Sequence, residues 1–61
     1  MKLSECRRGE VVYCKKYNAV GHIIDLDNFK VNGKLVIGVK VKFSNGRIDI
    51  MEKEELELIK D

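Results

Sequence analysis

Cys6, Cys14 and His22 carry the side chains of this sequence that most readily ligate a metal ion. They lie eight residues apart in succession, and that spacing, without a close pair of cysteines, matches none of the usual zinc frameworks. The sequence therefore predicts no metal site and no cofactor. It favours free thiols, with Cys14 as a small buried apolar residue and Cys6 in a frayed N-terminal segment.

Asp25 and Asp27 are the pair of carboxylates whose spacing could support acid/base chemistry. On a β-strand, residues two apart share a face and lie roughly 6.5 Å from each other. General acid/base catalysis also needs a cleft that desolvates one partner, and a core of 61 residues is too thin to supply one. We therefore expect a chain that is not an enzyme and has no small-molecule substrate, with both carboxylates at a solvated strand edge.

Basic residues close to aromatic rings suit a nucleic acid, because phosphates bind cations and bases stack on rings. Residues 1–51 contain ten basic and five acidic residues, a net charge of +5. The sequence predicts a weak phosphate-backbone site for RNA or DNA. Its candidate residues are Lys15, Lys16, Tyr17, Lys40, Lys42 and Arg47.

A second hypothesis stays open, since lysines on outer strand faces also serve solubility and edge protection. The last ten residues carry two basic and five acidic residues, a net charge of −3. The chain could therefore be a protein interaction module, or an accessory subunit that docks on a larger cytoplasmic partner. The acidic end and exposed Val11, Val36 or Met51 would form that contact.

Two Asn-Gly pairs give the clearest signals for the elements that position these residues. Asn32-Gly33 and Asn45-Gly46 each separate alternating apolar segments, which is typical of β-hairpins whose tight turns need positive φ. Three antiparallel strands follow, at residues 21–29, 34–43 and 47–51. An upstream strand is expected at 10–15, and a helical turn at 52–55 is favoured over a longer helix before a short last strand at 56–59.

These elements predict one all-β domain over residues 1–61, a five-stranded small barrel with a short helical turn before the last strand. No apolar run exceeds four residues, so no membrane span is expected, and the polar N-terminal sequence favours a cytoplasmic protein. A bulge near Gly21 would bury Ile23 in place of Ile24. The predicted core consists of Val12, Ile24, Leu26, Ile37, Val39, Val41, Phe43, Ile48, Ile50 and Leu56.

The order of these segments resembles Src-homology-3-like small barrels, in particular the Tudor-like and KOW-like branch. The resemblance rests on four segments: residues 9–12, 21–25, 39–48 and 56–59. It implies a small barrel that acts as a binding module. Residues 15–20 lack the additional glycine usual in a KOW element. The chain has four aromatic residues, of which Phe43 is assigned to the core, and this disfavours a methyl-lysine cage. No Trp is present for a proline-rich groove.

Overall fold

The structure is a computed structural model that describes residues 1–59. Its strands are β1 (Val11–Cys14), β2 (Ala19–Val31), β3 (Lys34–Phe43), β4 (Ile48–Met51) and β5 (Leu56–Leu58). Two 3-10 turns accompany them, the first at Leu3–Glu5 and the second at Lys53–Glu55. The prediction of an all-β fold with a helical turn before the last strand is confirmed.

All five strands belong to one antiparallel sheet in the order β4-β3-β2-β1-β5. The sheet does not close into a complete barrel, so β4 and β5 lie at its two ends. One side of the sheet, called the core face, carries Val12, Val39 and Val41. The opposite side, called the outer face, carries Lys40 and Lys42, because successive side chains of a strand alternate.

Both Asn-Gly pairs form the expected turns, with different backbone conformations. Asn32 and Gly33 have φ values of 51° and 80°, so both central residues of the β2–β3 turn are left-handed, as a type I′ hairpin requires. At the β3–β4 connection the left-handed residue is Gly46, with φ of 89°. There the Phe43 amide donates to the Arg47 carbonyl at 2.7 Å, and Gly46 donates to the Phe43 carbonyl at 2.9 Å.

A β-bulge divides β2 into two parts. The pairing with β3 runs from Gly21 to Ile23, skips one residue, and resumes at Asp25. A straight strand of 13 residues would span about 40 Å, whereas the whole fold is 35 Å long, so β2 bends. The bulge reverses the facing of the residues on either side of it, which buries Ile23 and leaves Ile24 only half-buried. The prediction that Ile24 lies in the core was therefore wrong, and the alternative, in which a bulge buries Ile23 instead, is correct.

The core is smaller than predicted, and several predicted members lie outside it. Leu26, Ile37 and Ile48 are exposed and Ile50 is half-buried, whereas Met51, predicted as a surface contact, is 2% exposed. Cys6 is also buried at 5% exposure, so the frayed N-terminus was a wrong prediction. The buried residues are Cys6, Val12, Cys14, Ile23, Val39, Val41, Phe43, Met51 and Leu56.

Gly38 explains why β4 turns its isoleucines away from the core. A Cβ atom at this position would collide with the side chain of Ile50 and would lie 2.6 Å from the Phe29 ring. Phe29 and Ile50 therefore pack across the bare backbone of Gly38 on the outer face. With Ile50 placed there, strand alternation directs Asp49 and Met51 to the side of Val41 and Val39.

The distal part of the β2–β3 hairpin extends beyond the shorter strands. β1 pairs with β2 through His22, and β4 pairs with β3 from Lys42 to Val39. We call residues 24–38 the hairpin arm and the rest of the sheet the body. In the arm, β2 and β3 pair only with each other among the described residues 1–59.

Candidate binding surfaces

Tyr17, in the loop between β1 and β2, is the centre of one cluster of predicted site residues. Its ring meets Phe43 edge-on, with centroids 5.8 Å apart and an interplanar angle of 81°. The Arg47 guanidinium lies 5.0 Å and the Lys16 ammonium 5.6 Å from the centroid of the Tyr17 ring. The fold thus brings Lys16, Tyr17 and Arg47 together through cation–π contacts.

The hydroxyl of Tyr17 is fixed as well. It donates to Asp49 Oδ2 at 3.0 Å, and Arg47 approaches the same carboxylate at 3.6 Å. The hydrogen bond to Asp49 raises the pKa of Tyr17, since it stabilises the protonated phenol. Because two cations already lie against the ring, a nucleobase that stacked on Tyr17 would have to displace one of them.

Lys40 and Lys42 lie on the outer face, apart from the Tyr17 cluster. Sheet pairing places Lys40 between Asp25 and Ile50, and Lys42 between His22 and Ile48. Lys42 is exposed and Lys40 is half-buried. Within residues 1–59 neither lysine forms an ion pair, so both ammonium groups can accept an anionic ligand.

Lys15 lies in a third place, where its ammonium group is 3.3 Å from the Glu57 carboxylate. The six residues predicted as one nucleic-acid surface are therefore divided among the Tyr17 cluster, the outer face and the β1–β5 pair. The sequence could not reveal this division, since it depends on which side of β3 the loop after β1 contacts.

The predicted chemistry of the cysteines, His22 and the aspartates can now be placed. Cys6 and Cys14 are free thiols buried in the core, and burial raises the pKa of Cys6, whereas His22 is exposed on the outer face. Among the described residues, no three His, Cys, Asp or Glu side chains converge closely enough to hold a metal ion.

Asp25 and Asp27 have a structural task at the edge of β2. The Asp25 carboxylate accepts a hydrogen bond from the Leu26 amide at 2.9 Å, and the Asp27 carboxylate accepts one from the Asn28 amide at 2.8 Å. Asp25 also lies 3.4 Å from the Arg8 guanidinium. The two carboxylates thus bind the amides of an unpaired strand edge, as expected for solvated residues at such an edge.

An exposed apolar surface lies on the hairpin arm, and sequence patterning did not find it. Leu35 is 66%, Ile37 50% and Leu26 42% exposed, all on the core-face side of the ribbon. Alternation assigned Leu26 and Ile37 to the core, but the four-residue strands β1 and β4 are too short to cover them. The mismatch between these short strands and the longer β2 and β3 is the sequence signal that could have indicated the exposure.

A cavity of about 290 Å³ lies beside this surface. Leu3, Val36 and Ile37 supply its apolar lining, and residues 52–54 supply a charged rim. On the rim, Lys53 donates to the Glu54 carboxylate at 2.7 Å. This hydrogen bond lowers the pKa of Glu54 and raises the pKa of Lys53, so both remain charged near neutral pH.

None of the helical segments within residues 1–59 is long and apolar enough to cross a membrane. Comparisons with protein-family models, with curated proteins and with solved structures gave no significant match, so the proposals below rest on the fold and on the surfaces described.

Proposed function

We propose that this chain is a non-enzymatic binding module that docks on a protein partner through the hairpin arm. The observation that carries the proposal is the exposure of Leu26, Leu35 and Ile37 on one side of a projecting ribbon. Contiguous exposed apolar residues in a small protein commonly mark an interaction surface, since exposing them to water has no benefit for folding. The cavity beside Ile37 adds a concave element to this surface.

The test compares two double variants of the tagged chain. L35S/I37S makes the arm polar, and K40E/K42E changes the outer face while leaving the arm intact. Circular dichroism first verifies that both variants fold. We expect a purified partner, identified by crosslinking to the native chain, to bind the K40E/K42E variant normally and to lose most of its affinity for L35S/I37S. Equal affinity for L35S/I37S and the native chain would refute docking through the arm.

Nucleic-acid binding is the second candidate, supported by Lys40 and Lys42 side by side with His22 on the outer face. Lys16 and Arg47 add cations at the Tyr17 cluster. Here phosphate contacts would dominate, and the affinity would fall steeply with salt. The test is an amide-shift titration at low salt with single-stranded and duplex oligonucleotides. Shifts at Lys40 and Lys42 that disappear in K40E/K42E would support this function, and unchanged spectra would exclude it.

We further propose kinship with Src-homology-3-like barrels, in their Tudor-like or KOW-like branch. The order β4-β3-β2-β1-β5 and the 3-10 turn before β5 support this assignment. The open sheet and the missing glycine in residues 15–20 depart from the pattern. A solved relative that shares both the strand order and the turn positions would test the assignment.

A further inference from the structure

The outward edge of β3 in the arm carries backbone groups without a strand partner. The amide and carbonyl of Phe43 point toward β4, as their bonds to Arg47 and Gly46 show. Backbone groups alternate along a strand, so those of Val41, Val39, Ile37 and Leu35 point the same way. Pairing with β4 ends at Val39, and within residues 1–59 no strand lies beside Leu35 or Ile37 on that side. Each residue therefore offers one N–H and one C=O outward.

The other long free edges of the sheet carry aspartates that bind outward amides. The outward amides of Leu26 and Asn28 on β2 are bound by Asp25 and Asp27. On β4, the outward amide of Ile50 is bound by Asp49 at 2.9 Å. In each case an aspartate binds the amide of the next residue and adds a charge that repels strand pairing.

The free edge of β3 lacks this protection. The residues preceding Leu35 and Ile37 are Lys34 and Val36, whose side chains carry no hydrogen-bond acceptor. At the other end of the sheet, β5 is only three residues long, and a strand that short offers little edge for pairing. Within residues 1–59, the 34–38 segment of β3 is therefore a long edge on which no aspartate binds an outward amide, and it remains open for strand addition.

The cavity lies where an added strand would run. β4 stops at Met51 because the second 3-10 turn leads the chain away from β3, with the Glu55 amide donating to the Glu52 carbonyl at 2.9 Å. The space that a longer β4 would fill beside β3 is bounded by Leu3, Val36, Ile37 and residues 52–54. It combines an apolar lining with the Glu52 carboxylate and with the paired side chains of Lys53 and Glu54.

We infer that the open edge at residues 34–38 accepts an extended segment of a partner protein as an added β-strand. An aliphatic side chain of that segment enters the cavity beside Leu3 and Ile37, and a neighbouring lysine or arginine pairs with Glu52. Main-chain hydrogen bonds to Leu35 and Ile37 supply the docking, and the cavity and the Glu52 carboxylate on its rim supply the selectivity. This inference rests on the proposed function and specifies the class of partner.

The first experiment uses a short blocked peptide in which lysine alternates with valine, titrated into the isotopically labelled chain. We expect amide shifts centred on Leu35 and Ile37 and a slowing of hydrogen exchange at these two amides by about tenfold or more at saturation. The same peptide with glutamate for lysine should bind much more weakly. A peptide with N-methylated amides on its pairing edge should not bind.

Matched variants then separate edge pairing from side-chain contact. L35P removes an outward N–H that bonds to no strand, and N28P does the same on the protected β2 edge. L35A keeps the N–H and removes only the side chain. We expect L35P to weaken peptide binding about tenfold or more, L35A to weaken it less, and N28P to leave it unchanged. Near-native spectra of the body establish that each variant folds.

A second pair of variants tests whether an aspartate directly before Leu35 would close the edge. K34D places a carboxylate directly before Leu35, where it can bind the open amide, and K30D makes the same charge change on β2, opposite Leu35. K34D should weaken peptide binding severalfold more than K30D. Equal effects of the two variants would show that charge alone matters and would overturn strand addition.

The remaining outcomes are distinguishable. Peptide-induced shifts confined to the outer face would refute the inference and leave the proposed protein docking intact. No shift at Leu35 or Ile37 at millimolar peptide would also refute it. If sedimentation shows that the chain pairs with a second copy and K34D abolishes the pairing, the edge is a homodimer contact and the inference is wrong. If the peptide causes no shift at Leu35 or Ile37 and L35S/I37S still binds its partner with native affinity, both the inference and the proposed function are refuted.

Discussion

The body of the sheet and the hairpin arm contain the same kind of alternating strand, yet they bury their apolar residues very differently. In the body, Val12, Val41 and Leu56 are fully buried. In the arm, Leu35 and Ile37 lie on the same side of β3 as Val41 and remain half or more exposed. The difference arises because, within residues 1–59, no strand covers Leu35 and Ile37. Alternation thus decides the side on which a residue lies, and neighbouring strands decide its burial.

This contrast assigns different tasks to the two regions. A two-stranded ribbon is marginally stable alone, so the arm depends on the body for its position. The body supplies the buried apolar surface, and the sequence of the arm can serve binding with little effect on folding. The following variants test that division.

The largest expected effect comes from a matched pair of leucines. Leu56→Ala removes a fully buried side chain of the body and should destabilise the fold by about 2–4 kcal/mol, from lost burial and a residual cavity. Leu35→Ala, in the arm, should change stability by less than about 0.5 kcal/mol. Urea unfolding followed by circular dichroism measures both. Equal losses would show that the arm is part of the stabilising core.

The junction between the two regions should give the next largest effect. Gly38→Ala introduces a methyl group where Phe29 and Ile50 pack, and should cost about 1–3 kcal/mol. Adding Ile50→Ala creates space for that methyl group. The double variant should therefore be more stable than the sum of the two single effects implies, and strict additivity in thermal unfolding would contradict the proposed packing.

A smaller effect is expected from removing the aspartates that protect β2. D25A/D27A leaves the amides of Leu26 and Asn28 without their carboxylate acceptors. Hydrogen exchange at these two amides should accelerate, and sedimentation should show more self-association at high concentration, because a second edge of the arm becomes available. D25N/D27N keeps an acceptor and serves as the control. Unchanged exchange in D25A/D27A would mean that the carboxylates do not protect this edge.

The smallest effect concerns the loop that Tyr17 anchors to the body. The hydrogen bond to Asp49 raises the pKa of Tyr17 in the folded protein. The bond therefore stabilises the fold fully at pH values below the pKa that Tyr17 has in the unfolded chain. That contribution is lost as pH rises through the higher pKa of the folded state. In a Y13F background, tyrosinate absorbance should appear at lower pH when Asp49→Asn is added, and identical titration curves would exclude the bond.

The sequence predicted the features that depend on local backbone geometry. Asn32-Gly33 and Gly46 adopt the conformations that their residue types favour, and the strands around them follow. The core face of β2 was harder to predict because one extra residue at Ile24 reverses the alternation beyond it. The sequence wrongly assigned Ile50 to the core because the space that Gly38 leaves on the outer face is filled by a residue of another strand, remote in sequence.

The candidate sites were predicted less well, for a different reason. Lys16, Tyr17 and Arg47 meet because the loop after β1 contacts the end of β3, a packing choice that no local pattern encodes. The open edge of β3 depends on where β4 stops, and that follows from the turn at residues 53–55. Surfaces defined by the absence of a covering strand need the full topology.

Beyond the bulge at Ile24, the regular pairing of β2 with β3 allows the length of the arm to change without disturbing the body. A deletion of two residues from each strand, Lys30 and Val31 from β2 and Lys34 and Leu35 from β3, would shorten both strands equally. It would place Phe29 and Val36 next to the Asn32-Gly33 turn and keep every other side chain on its present face of the sheet. Removing a single residue from one strand would instead reverse facing along the rest of the ribbon. Natural variation in this segment should therefore change its length in matched pairs, so that evolution can alter the reach and recognition of the arm while the body stays the same.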